Sequence, residues 1–289
     1  MTRSELVAEL AVTLGARHEA RFIVEDVLGV GPSSSETSVG PAEVDLIRSL
    51  AARRGTGEPL QYVLGHWAFR SLDLLVDPRV LIPRPETEQV VEVALREIAH
   101  LGATDPVIVD AGTGSGAIAL SLATELARSN PGGRVWAGDC SPEALAVARS
   151  NLERVRQHDQ GPMLPVTMVQ GSWLAALPAA MTGTITLVVS NPPYIEPTQW
   201  TDLQAEVRRE PSGALLAADG TDGTPGLGDV EAVLRQAWGW LSRPGAVVIE
   251  VAPDQAPAAV RMAQSIGYLD VDAVPDLAGR SRAVVGRVR

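Results

Sequence analysis

Val107-Ile108-Val109-Asp110-Ala111-Gly112-Thr113-Gly114-Ser115-Gly116 decides how the rest of the chain is read. Three β-branched apolar residues predict a buried strand. The glycines predict a tight turn that lets a ligand approach the backbone. The apolar stretch Ala117 to Ala127 predicts a helix opening on that turn, whose first N–H groups are free to meet carboxylate or hydroxyl oxygens. One β-α unit later, Asp139 ends the next predicted strand, where an acidic side chain can accept hydrogen bonds from both hydroxyls of a ribose. Three readings of the turn stay open: an S-adenosylmethionine (AdoMet) site, a dinucleotide site through Gly112, Gly114 and Ala117, or a turn of purely structural use.

Outward from this turn, strands and helices alternate. Strands are predicted at Arg134 to Ala137, Val166 to Val169, Ile185 to Val189, Ala246 to Val251, Leu269 to Val274 and Arg282 to Val288. Helices are predicted at Glu86 to His100, Pro142 to Val155, Asp229 to Leu241 and Gln255 to Ile266. Repeated β-α-β units imply an α/β domain with a mostly parallel sheet covered on both faces. Residues 1 to about 55 carry Leu6, Leu10, Leu14, Ile23, Val27, Ile47 and Leu50 at helical spacing, with a polar loop around Ser33-Ser34-Ser35. Between the two regions, Phe69 to Val76 and Val80 to Ile82 read as extended segments of a connecting hairpin. The expected domains are 1–74, helical with a linker, and 75–289.

Val188-Val189-Ser190-Asn191-Pro192-Pro193-Tyr194 ends the fourth predicted strand, at the edge where open α/β sheets place their chemistry. An amide nitrogen is a poor nucleophile and must be held in line with the group it attacks. The Asn191 side-chain oxygen and the Pro192 carbonyl can accept its two N–H bonds. Pro192 and Pro193 fix φ and remove backbone donors, and Tyr194 offers a flat face. Asn-Pro and Pro-Pro are also ordinary turn dipeptides. Following a glycine turn and Asp139, however, the segment reads as the gripping loop of an AdoMet-dependent N-methyltransferase, since hydride transfer has no use for it. Gly171-Ser172-Trp173 follows the third strand, where Ser172 and Trp173 can meet an adenine; plain core packing of Trp173 is the other reading.

The bulk numbers exclude several classes. The 289 residues are 45% hydrophobic, enough for one large domain and a small one. The net charge of −11 disfavours a phosphate backbone as partner. The single cysteine, Cys140, excludes an internal disulfide and fits a reducing cytoplasm. His18, His66, His100 and His158 lie at no metal-binding spacing, so no metal is expected. Met1 to Leu10 has no signal-peptide pattern, and no apolar run approaches the roughly 18 residues that span a bilayer. We expect a cytoplasmic monomer with neither nucleic-acid nor membrane partner.

The chain further resembles the HemK/PrmC family of release-factor glutamine methyltransferases over nearly its whole length. The resemblance is carried by Gly57-Glu58-Pro59-Leu60-Gln61-Tyr62 with Gly65 and Phe69, and by Val80-Leu81-Ile82-Pro83-Arg84-Pro85-Glu86-Thr87-Glu88. Glu210-Pro211 with Ala214-Leu215, Glu250 with Gln255, and Asp276-Leu277 with Gly279-Arg280 and Arg282 add to it. It implies a Rossmann-like seven-stranded methyltransferase sheet with an antiparallel last strand, and a helical N-terminal domain that docks the protein substrate. It implies AdoMet as cofactor, contacted by Gly112, Thr113, Gly114, Ser115, Gly116, Asp139, Ser172, Trp173 and Asn191. The acceptor it implies is the Gly-Gly-Gln glutamine of class 1 peptide chain release factors, held by Asn191, Pro192, Pro193 and Tyr194. Ser172 departs from the acid often found before the Trp, and Ala217 to Gly228 is longer than usual. Competing functions are a glutamine methyltransferase of a large-subunit ribosomal protein, a nucleic-acid N-methyltransferase and a non-catalytic AdoMet-binding adaptor. Arg84 to Glu88 reads either as a helix cap and hinge or as a cleft wall, and Asp110 either as a tie for the loop or as a charge near the sulfonium.

Overall fold

The computed structural model describes residues 1–29, 38–158 and 161–289, and divides into two compact units. The Ser33 to Ser35 run lies outside the described residues. The first unit is Met1–Trp67 together with Gln204–Arg209, and the second is Ala68–Leu203 together with Glu210–Arg289.

The first unit is helical: α1 (Arg3–Leu14), α2 (Arg17–Leu28), α3 (Pro41–Gly55) and the short α4 (Leu60–Leu64). Thr2 and Glu5 form a capping box that starts α1, with Glu5 N–H donating to Thr2 Oγ1 at 3.2 Å and Thr2 N–H to Glu5 Oε2 at 2.8 Å. Leu6, Ile23 and Ile47, one from each long helix, are fully buried in a shared core. Part of the Gly57–Tyr62 motif has a structural use here. Glu58 pairs with Arg53, its carbonyl accepts from Arg54 Nη1 at 3.0 Å, and the Tyr62 carbonyl accepts from Arg53 Nη2 at 3.1 Å. Arg54 also bonds Glu19 at 2.7 Å and Glu206 at 2.6 Å, which is why residues 204–209 belong to this unit.

A hairpin of β1 (His66–Phe69) and β2 (Leu72–Leu75) follows, whose residues from Ala68 onward belong to the second unit. The turn falls at Arg70-Ser71, inside the stretch expected to be extended, and Val80–Ile82 is not a strand. Arg70 takes the turn with φ 51°, unusual for a side-chain-bearing residue, and is held there by Glu125 and the Glu88 carbonyl. Phe69, Leu72 and Leu74 join the core of this unit, so the division expected at 74/75 falls at 67/68.

There follow α5 (Pro85–His100), β3 (Val107–Ala111), α6 (Ala117–Glu125), β4 (Arg134–Asp139), α7 (Pro142–His158), β5 (Val166–Gln170) and β6 (Ile185–Ser190). After a stretch of 3₁₀ turns come α8 (Gly228–Trp240), β7 (Leu241–Glu250), α9 (Ala256–Ile266), β8 (Leu269–Pro275) and β9 (Ser281–Val288). The strands form one seven-stranded sheet of order β5-β4-β3-β6-β7-β9-β8. It is parallel except for β9, which runs antiparallel to both neighbours. Strand period two divides the side chains between two cores. Ile108, Leu187, Ala246 and Val248 enter one, and Val109, Val188, Val247 and Ile249 the other. This is the Rossmann-like methyltransferase arrangement expected. Strand order reverses between β3 and β6, and there a crevice opens at the carboxyl ends.

Asp110 and Asn151 set the edge of that crevice. Asp110 is fully buried; its Oδ2 accepts from Thr113 Oγ1 at 2.6 Å and Ala119 N–H at 3.1 Å, while Oδ1 has no partner. The loop-tying role is therefore realised. Asn151 accepts from Leu75 N–H at 2.6 Å and donates to the carbonyls of Leu75 at 3.0 Å and Ser115 at 2.9 Å, joining α7 to the hairpin and the glycine turn. Among the described residues no helix is long and apolar enough to cross a membrane.

Two outcomes test this account. Truncating the fully buried Leu74 to Ala should lower unfolding free energy by about 2–5 kcal/mol in denaturant titration, the usual cost of such a cavity. A loss near zero would place Leu74 outside the core. Burial pushes the Asp110 carboxyl from 3.8 up to about 7. The folded state thus holds a proton that the unfolded chain releases, so the contribution of Asp110 is full below the lower value and is lost as pH rises through the higher. Asp110→Asn should flatten the fall in melting temperature over that window; an unchanged slope would refute the assignment.

Candidate active site

A cavity of about 350 Å³ lies in the crevice, within the size range of small-molecule sites. Gly112, Thr113, Gly114, Ser115, Asp139, Ser172, Trp173, Asn191 and Pro193 all line it. Gly112 and Asn191, 79 positions apart, meet there because β3 and β6 are neighbours in the sheet. Gly116, Pro192 and Tyr194 are not on its lining. Gly116 serves packing instead: at φ 87°, a Cβ there would crowd Leu120 Cδ1 at 3.2 Å. Asp110 is likewise absent from the lining, so a charge role toward the ligand finds no support.

The glycine turn is fixed by two hydrogen bonds, from the N–H groups of Gly112 and Thr113 to the Gly138 carbonyl at 2.9 and 2.8 Å. Asp139 Oδ2 accepts from Gly114 N–H and Oδ1 from Ser141 N–H, both at 2.9 Å. Each carboxylate oxygen keeps lone-pair capacity, which suits two ribose hydroxyls. At Gly112, φ is 81° and a Cβ would sit 3.0 Å from the Trp173 ring; at Gly114 there is open space. Trp173 both packs on a core cluster and lines the cavity. Its φ of 50° is a strained value for a bulky residue, at a position whose ring lines the cavity. These residues fit an adenosine-bearing ligand. Arg79 and Asp229 also line the cavity and were not singled out from the sequence, and Val80, Leu81 and Cys140, named there without a part in the site, line it too. The Asp229 carboxyl is raised by burial. Its only sequence signal is an acid in the first turn of a predicted helix.

The Asn191 side chain is fixed by a buried chain of groups. Asn191 Nδ2 donates to Thr87 Oγ1 at 3.2 Å, and Thr87 Oγ1 donates to Glu250 Oε2 at 2.7 Å. Thr87 is 4% and Glu250 1% exposed. Burial pushes the Glu250 carboxyl up to about 7, against the lowering effects of the Thr87 hydrogen bond and the Arg282 charge. Burial, with the Glu250 charge nearby, also raises the Tyr194 phenol to about 12, so it stays a neutral hydroxyl. The Tyr194 carbonyl accepts from Gln255 Nε2 at 2.9 Å. Gln255 also reaches the Pro225 carbonyl at 3.3 Å, which anchors the long Ala217 to Gly228 loop.

Glu86 and Glu88 stand in the first turn of α5, where acids suit the helix dipole, although the N-cap residue Arg84 makes no side-chain capping bond. Arg84 pairs with the buried Glu210, whose Oε2 also accepts from Ile82 N–H at 3.0 Å. Val80, Leu81, Pro83, Arg84 and Thr87 line the cavity, so this segment forms a wall of the cleft. Among the described residues no group of His, Cys, Asp or Glu is placed to hold a metal ion.

A family model described as the PrmC N-terminal domain matches residues 3–65, and one described as a methyltransferase domain matches residues 108–210. The chain is 41% identical over 252 residues to the release factor glutamine methyltransferase of Moorella thermoacetica, covering 86% of this chain and 81% of that protein. It is 40% identical over 270 residues to that of Bordetella pertussis, covering 92% and 93%. A methyltransferase structure from Pyrococcus furiosus superposes with TM-score 0.50 at 18% identity, over 76% of this chain and 90% of that one, which speaks for the fold alone. The dinucleotide reading of the glycine turn and the non-catalytic reading fall away. At this identity over this share of both chains, the protein belongs to the release factor glutamine methyltransferase family.

Proposed function

We propose that this chain transfers a methyl group from AdoMet to the side-chain amide nitrogen of the Gly-Gly-Gln glutamine of class 1 release factors. It would act in the cytoplasm as a monomer, without contacting nucleic acid. The observation that supports this most is that Asn191 and Pro193 line the same cavity as the glycine turn, Asp139 and Trp173. A cofactor held by the latter group would lie against an amide held by the former.

AdoMet, when bound, supplies a methyl on a sulfonium, already an activated leaving group. The protein's work is then positioning and electrostatic preorganisation. Asp139 would take the ribose hydroxyls, Ser172 and Trp173 the adenine, and the turn Gly112–Ser115 the amino-acid portion. Ser172 offers a hydroxyl rather than a charge to the adenine amine. The Asn191 oxygen and the Pro192 carbonyl would accept the two N–H bonds of the glutamine amide, aligning its nitrogen with the methyl. Pro192 is buried, and the hydroxyl of Ser190, two positions before it, bonds the Ala111 carbonyl at 2.5 Å, so the loop has little freedom to drift. The helical first unit would dock the protein substrate.

Incubation with labelled AdoMet and a release factor should label the factor, and Gln→Ala in its Gly-Gly-Gln motif should abolish the label. Label persisting in that variant, or arising only in ribosomal protein, would overturn the proposal. Asn191→Ala should slow transfer by about 100-fold or more while AdoMet affinity changes little; loss of AdoMet binding would mean its role is misassigned. Asp139→Asn should weaken AdoMet binding by about 10- to 100-fold in calorimetric titration, as expected for lost charge-assisted hydrogen bonds. Unchanged affinity would remove Asp139 from the ribose site.

A further inference from the structure

Asparagine is ambiguous as a gripping residue. Its amide oxygen and nitrogen occupy nearly the same space, yet one accepts and the other donates. Turned the wrong way, Asn191 would present N–H groups to the N–H groups of the substrate amide. Nothing in the Asn191-Pro192-Pro193-Tyr194 loop itself chooses between the two orientations. The choice comes from outside the loop.

We propose that Thr87 is a positioning residue that sets the Asn191 amide with its oxygen toward the substrate, and that Glu250 sets Thr87. The proposal rests on the reading that Asn191 grips the acceptor amide. A threonine hydroxyl has one proton. Ionised Glu250 can only accept, and its Oε2 lies 2.7 Å from Thr87 Oγ1, so the proton is committed there. Only lone pairs remain on Thr87 toward Asn191, 3.2 Å away. Asn191 must therefore turn its NH₂ to Thr87, which leaves its oxygen free.

The fold supports each link. Thr87 lies in the first turn of α5 and is β-branched, so its hydroxyl is held by a restricted χ1. Glu250 ends β7, paired through the ladder with Ala283 of β9. Water competes poorly for the Thr87 proton, because both groups are almost fully buried. The charged groups nearest Glu250 are Arg282 on β9, Glu86 on α5 and Arg84 just before it. Arg282 lies 3.9 Å from Glu86 and 3.7 Å from Asp276, so that cation is shared among acids. The Thr87–Glu250 bond also gives a task to Thr87, within the Arg84 to Glu88 landmark, and to the landmark Glu250.

The test uses the full chain, a release factor and labelled AdoMet, about one unit above the value of about 7 to which burial pushes Glu250. Thr87→Val keeps the shape and removes the hydroxyl. It should lower kcat by about 10- to 100-fold, the scale of a lost orientation, with AdoMet affinity unchanged. Thr87→Ser should restore most of the rate, because it restores the hydroxyl. Glu250→Gln can turn its own NH₂ to Thr87, reverse the hydroxyl and so flip Asn191; it too should lower kcat without changing AdoMet affinity. Wild-type kcat in Thr87→Val overturns the proposal, as does failure of Thr87→Ser to recover activity or a parallel loss of AdoMet affinity. Should Thr87→Val not fold, wild-type kcat in folded Glu250→Gln overturns it equally. Asn191→Ala serves as the control: if it stays active, the parent reading fails, and if it is inactive while Thr87→Val is normal, only this inference fails.

Discussion

The hydrogen bond from the Ser190 hydroxyl to the Ala111 carbonyl, 2.5 Å long and fully buried, ties the ends of the two strands on which everything else depends. β3 and β6 are adjacent and parallel, but the chain leaves them in different directions, one into the glycine turn and the other into the Asn191 loop. Parallel strands leave no side-chain bridge of their own at this edge, and a buried polar tie there fixes both loops relative to each other. Residues encoded more than 70 positions apart, Gly112 and Asn191 among them, therefore share one cavity.

Positioning in this protein is done largely by neutral or singly charged groups with few degrees of freedom. Asp110 spends its carboxylate on a loop, Asn151 bonds three backbone groups, and Gln255 bridges two carbonyls. None of the three lines the cavity. They hold segments that do. This suits a reaction whose leaving group needs no activation and whose difficulty is the alignment of a weak nucleophile.

The α/β alternation was legible because each central strand is a short β-branched run and each helix begins at a recognisable break. The first halves of the site were legible for the same reason: Gly112 to Gly116 and Asn191 to Tyr194 sit directly after predicted strands. The hairpin turn was not, because Arg70 adopts a left-handed φ that its residue type does not advertise and that distant Glu125 helps to hold. The Thr87–Glu250 bond was not, because its partners are 163 residues apart and Thr87 sits among charges that draw attention first. Gly116 was legible as a glycine but not as one that serves Leu120 rather than a ligand. Pattern shows where chemistry is placed along the chain; it does not show which buried group orients which.

Residues 204–209 carry one more consequence. The chain passes from the first unit to the second after Trp67, returns at Gln204 and leaves again after Arg209. The N-terminal module is thus not a removable cassette. Its family model ends at residue 65 and so omits a segment that Arg54 holds through Glu206. In an exchange of modules between two relatives, a single crossover near residue 67 would pair one parent's Arg54 with the other parent's 204–209. In this chain the two stretches form one unit, joined at a point that a one-dimensional domain map does not mark.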